Sequence, residues 1–303
     1  MPFVSIALAL FSAMLVVWLA SAALFLPSLL ILAGAILYQF PQIAFFGTMA
    51  VVVATTSVVP LMIGARLGIQ SQGTILKTGY GKLVLPGLGY GLFEALTGIF
   101  TFSIAFLVFM AISPLSFADF SALAEDGSDV LIARAIEENQ LLALIIIGLV
   151  AVLLTAFRAA MLVPLTGAGI SKDPGNKGHT PFMGFGTCFG SLFVVVVLSY
   201  LLSAAAWPAI GQVATLMGLD PETLSNSAAG QPPVTGTQVA ILVGVFITFT
   251  LWVFSLQAAG GVMAYRHLEK MLVDDRDQEQ MENRMSQEDM RALWKSRMPT
   301  GHK

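Results

Sequence analysis

The stretch Leu88–Ile112, LGYGLFEALTGIFTFSIAFLVFMAI, has one charged side chain, Glu94, in 25 residues. A helix crosses a hydrocarbon core ~30 Å thick with about 20 apolar residues, and in lipid it satisfies its own backbone polar groups. Leu141–Leu165, Phe182–Ile210 and Gln238–Ala264 read the same way, and Ile43–Ala65 adds a span bounded by Pro41 and Arg66. Residues 3–40 are almost continuously apolar, broken only at Pro27. A turn near Ala20–Pro27 would have Ser21 and Ser28 as its only polar groups, a poor loop in water. One span centred on about Val16–Tyr38 is therefore expected, with the first dozen residues interfacial or embedded as an extension. The fold class that follows is all-α, a polytopic transmembrane helix bundle of about six spans, with seven as the alternative.

Composition agrees. Charged residues make up 11% of the chain and hydrophobic ones 56%, whereas soluble domains carry roughly 25% charged residues. The charges are also segregated. None precedes Arg66, while Arg266–Lys303 holds eight basic and eight acidic residues. A bilayer imposes this pattern, because a charge at its centre costs ~3 kcal/mol on insertion scales. Residues 1–265 thus form the membrane domain and residues 266–303 a charged tail. The N-terminus lacks the basic region and cleavage site of a secretory signal peptide and is read as retained.

Loop charges give a direction. The loop around Arg66, Lys77 and Lys82 has no acid, and Arg158–His179 has Arg158, Lys172 and Lys177 against Asp173. Between them, Ser113–Gln140 is strongly acidic, and Gly211–Thr237 has only Asp220 and Glu222. Basic loops stay cytoplasmic, which places the tail inside; six spans put the N-terminus inside as well. Compact loops and the absence of a mitochondrial-type presequence point to a bacterial inner membrane. An internal repeat is also considered: Val59-Pro60-Leu61 and Val163-Pro164-Leu165 each end a span and lead through a basic loop to a glycine-rich return.

Glu94 and Arg158 are the candidate site. Each is expected about 10 Å inside the membrane, where ionisable residues face the bundle interior and pair with each other. The pair is either a structural strut, with Arg158 snorkelling to the headgroups, or a relay or substrate anchor. Gly87, Gly91 and Gly98, and Gly186 with Gly190, are read as small residues for close helix packing, not as a nucleotide loop, which needs a preceding strand in water. A lone Cys188 excludes an internal disulfide, and three scattered histidines (His179, His267, His302) form no local ligand set, so no metal or cofactor is expected. No nucleophile with a base stands out, which argues against an enzyme.

In the tail, Ser286-Gln287-Glu288-Asp289 has capping-box-like spacing. A short cytoplasmic helix over Gln287–Arg297 is expected, with Met290, Leu293 and Trp294 forming a stripe that docks on a partner or on the chain's own loops. Scarce polarity inside the other spans favours a non-catalytic integral membrane subunit or scaffold over a small-molecule or lipid transporter. The expected partners are membrane lipids and other membrane subunits or further copies of the chain, not nucleic acid.

Overall fold

A computed structural model of the chain describes residues 2–24, 41–76, 79–112, 137, 139–170, 184–219 and 235–297. The described residues contain six helices long and apolar enough to cross a membrane, making this a multi-pass, all-α membrane protein. Helix α1 is Pro2–Leu24. Helix α2 is composite: Pro41–Val53, a π-helical turn Ala54–Val58, and Val59–Gln70. A 3₁₀ turn, Tyr80–Leu83, leads into α3, Val84–Ile112. Helices α4 (Gln140–Ile170), α5 (Phe185–Leu216) and α6 (Gly236–Arg297) complete the bundle.

Packing gives the helix directions. Ser21 lies by Thr55, while Met14 meets Gly64 and Ile6 meets Gly68, so α1 and α2 are antiparallel. Gly64 and Gly68 also face Ala258 and Val262, so α6 runs with α2. Thr166 and Leu162 touch Gly261, and Arg158 reaches Gln257. Cys188, Leu192 and Ser199 meet Ala264, Gly260 and Gln257, so α5 runs against α6. The core lies where α2, α4 and α6 converge, around Met62, Ala159, Leu162, Ala259 and Val262.

Several expectations need correction. Pro2–Leu24 is a single helix whose inner face is buried from Ile6 onward, so the first dozen residues belong to the packed bundle and the first helix is centred earlier than Val16–Tyr38. Residues 25–40 lie outside the described part, as do the acidic stretch 113–136, residues 171–183 and residues 220–234. The Val-Pro-Leu motifs do not end their helices: α2 continues to Gln70 and α4 to Ile170. They also differ locally, since α4 stays α-helical through Pro164 while α2 is π-helical just before Pro60. Finally, no separate tail helix starts at Ser286. Helix α6 is continuous for 62 residues, because neither Gly nor Pro occurs between Val262 and Met298 and a capping sequence starts nothing where the preceding turn is already helical.

The π turn has a specific cause. The Val59 N–H bonds the Ala54 carbonyl, five residues back. Pro60 has no N–H, so in the same register the Thr55 carbonyl loses its partner. Ser21 of α1 supplies a shared one, its single hydroxyl proton lying between the Trp18 carbonyl at 2.8 Å and Thr55 O at 3.0 Å. A neighbouring helix thus satisfies the backbone group freed by a proline, as the bilayer requires.

Candidate functional site: a polar layer at mid-depth

The structure brings Glu94 and Arg158 together. Arg158 Nη1 donates to Glu94 Oε2 at 2.6 Å. Around this pair lies a chain of hydrogen bonds. Ser57 Oγ, in the π turn, donates to Glu94 Oε1 at 3.1 Å. Arg158 Nε donates to Gln257 Oε1 at 3.1 Å, Gln257 Nε2 donates to Ser199 Oγ at 2.8 Å, and Ser199 Oγ donates to the Val196 carbonyl at 2.8 Å. The network joins α2, α3, α4, α6 and α5. Its chemistry dictates its order: an arginine has only donors, so Gln257 must turn its oxygen to it, leaving the amide N–H for Ser199. Ser199 can accept because its own proton goes to Val196.

Each of these five residues lies within about three positions of the middle of its span. The helices also run past the spans read from sequence. Helix α3 begins at Val84, not Leu88, and α4 ends at Ile170, not Leu165. Arg158 is then twelve residues, about 18 Å, from the end of its helix. Its guanidinium turns into the bundle, toward Glu94 and Gln257, and its side chain is only 6% exposed, against 26% for Glu94. Held with opposite charge and amide oxygen, the guanidinium meets the condition under which a buried charge is tolerated.

Of the five glycines singled out from sequence, Gly91 makes a close approach to a neighbouring helix. A Cβ there would lie 2.7 Å from the Ala50 carbonyl oxygen and 2.9 Å from the Ala54 nitrogen, so only glycine lets α3 approach α2 where Ser57 reaches Glu94. Gly87 is buried on the same helix. Gly98, Gly186 and Gly190 are a correction: a Cβ on any of them meets none of the described residues within 4 Å. The spacing shared by the five glycines does not say which face of the helix meets a neighbour. Three glycines with close contacts, Gly64, Gly169 and Gly261, were not singled out from sequence. A Cβ on Gly169 would lie 2.5 Å from the Met62 carbonyl oxygen.

In the tail, Met290 and Trp294 are 59% and 71% exposed; the Leu293 side chain lies outside the described part. Among the described residues, no group of three or more His, Cys, Asp or Glu side chains could hold a metal ion. Ser57, Ser199 and Gln257 complete the network and were not singled out from sequence. Gln257 is an amide within an apolar span, and the serines carry no signal in a sequence where they are common. Compared with protein-family models, curated proteins and solved structures, the chain matches none.

Proposed function

We propose that this chain is a non-catalytic integral membrane subunit or scaffold that packs against other membrane proteins and docks through its tail. The observation that carries the reading is α6. Its membrane-compatible stretch ends by Asp274, and the helix continues without interruption to Arg297, about 35 Å further. A solvated helix ending in exposed Met290 and Trp294 is a poor resting state for a monomer but a suitable arm for a partner. The polar layer supports the same reading, because it ties five helices into one unit and commits its donors to internal acceptors. The charge asymmetry of the loops favours a bacterial inner membrane with the tail in the cytoplasm.

The test is purification in mild detergent with the mass of the protein–detergent complex measured by light scattering. The full chain is expected to migrate as an assembly with itself or other subunits, and a chain truncated after Asp274 to lose it while keeping its helical content. A full-length chain that is solely monomeric, with nothing co-migrating, would sink the proposal.

A transporter of small molecules or lipids is the second reading, favoured by the partial exposure of Glu94 at mid-depth beside a π turn, since such turns are frequent at functional sites. It expects Glu94→Gln to fold and assemble normally while abolishing a proton-coupled flux in proteoliposomes. Unchanged flux in the variant would remove Glu94 from any transport path.

A further inference from the structure

A groove of about 670 Å³ runs along the outer side of α1. Val17 and Ile63 lie on its lining, Ala13, Ala20 and Ala23 open it along the helix, and Tyr80 closes one end. Between Ala13 and Leu24, the limits of the α1 lining, the helix rises about 16 Å. The Leu24 end lies level with Thr55 of α2, where the Ser21 hydroxyl meets its carbonyl. The other end carries the polar groups. There the Tyr80 ring lies 4.6 Å from the Arg66 guanidinium, Lys82 is exposed two residues on, and no acidic residue occurs from Arg66 to Lys82.

The groove is therefore as long as one leaflet of hydrocarbon, about half of a ~30 Å core. Open along its length and lined by apolar side chains, it accommodates an extended hydrocarbon chain. The basic rim with an interfacial tyrosine selects the headgroup, since cations near the surface attract anionic lipid and tyrosine is favoured at headgroup level. We infer that the groove holds one acyl chain of an anionic phospholipid, with its phosphate against Lys82 and Tyr80.

Native mass spectrometry of the purified full chain, titrated with phosphatidylglycerol or phosphatidylcholine of identical acyl chains, tests this. The first lipid bound is expected to favour phosphatidylglycerol about five-fold, the effect of roughly one cation near the surface. Lys82→Gln should abolish that preference while phosphatidylcholine still binds. The pair Val16→Phe and Ala20→Phe, on exposed positions of α1, should remove the tight site for both lipids without lowering the thermal midpoint. Equal affinity for the two lipids in the unaltered chain would overturn the inference. So would a groove-filled variant that still binds its first lipid as tightly, or one whose only change is loss of a dimer, which would make the occupant a second copy.

Discussion

Replacing Arg158 with methionine is expected to destabilise the folded bundle by about 3–5 kcal/mol, the loss found when one partner of a buried ion pair is removed. Methionine fills much the same volume, so the loss comes from electrostatics and not from a cavity. Two groups lose their donor together: Glu94 Oε2, and Gln257 Oε1 on a helix where Ser199 occupies the amide N–H. Glu94→Gln should cost less, because a glutamine oxygen still accepts from Arg158 and the position keeps a polar contact with Ser57. The double variant Glu94→Gln/Arg158→Met should be more stable than Arg158→Met alone, since no lone carboxylate remains at mid-depth, and the two changes should couple by more than 1 kcal/mol. Reversible unfolding in mixed micelles measures all three. A loss below 1 kcal/mol for Arg158→Met, or strictly additive effects, would show that the pair contributes little to the fold.

The second large effect is steric. Gly169→Leu is expected to prevent native assembly of α4 on α2, because even a Cβ at this position would sit 2.5 Å from the backbone carbonyl of Met62, with the Met62 Cα also at 3.2 Å. Backbone cannot move aside as a flexible side chain can. Gly169→Ala should therefore still cost about 2 kcal/mol, within the usual range for overpacking, and Gly91→Ala a similar amount. At Gly98 and Gly190, alanine should change stability by no more than about 0.5 kcal/mol, or raise it slightly through helix propensity. Thermal unfolding of the four alanine variants in one detergent distinguishes the two groups. Equal losses at all four would mean that helix contacts play no part.

Much of this architecture is legible in the sequence, because a bilayer penalises charge so heavily that the placement of Arg66 and the tail marks where lipid begins and ends. The Glu94–Arg158 contact follows from the same penalty: a lone carboxylate and a lone guanidinium at similar depth have few other partners. Span ends were harder to read. Pro86 and Gly87 look like loop residues, yet they form the first turns of α3, where a proline's missing N–H costs nothing. The π turn was invisible because it depends on Ser21, more than thirty residues away, meeting a carbonyl that Pro60 leaves open. For the tail, a local capping signature competed with an unbroken run of helix-forming residues, and the run prevailed.

That continuity also has a mechanical side. From Gly236 to Arg297, α6 is one stiff rod with its pivot inside the bundle, where Gln257 is clasped between Arg158 and Ser199. A tilt of about 10° about Gln257 would sweep Trp294, about 55 Å further along the helix, through roughly 10 Å. Small rearrangements among the five joined helices would thus be converted into a displacement at Trp294 of nearly two helix turns, a lever arm whose fulcrum is the polar layer.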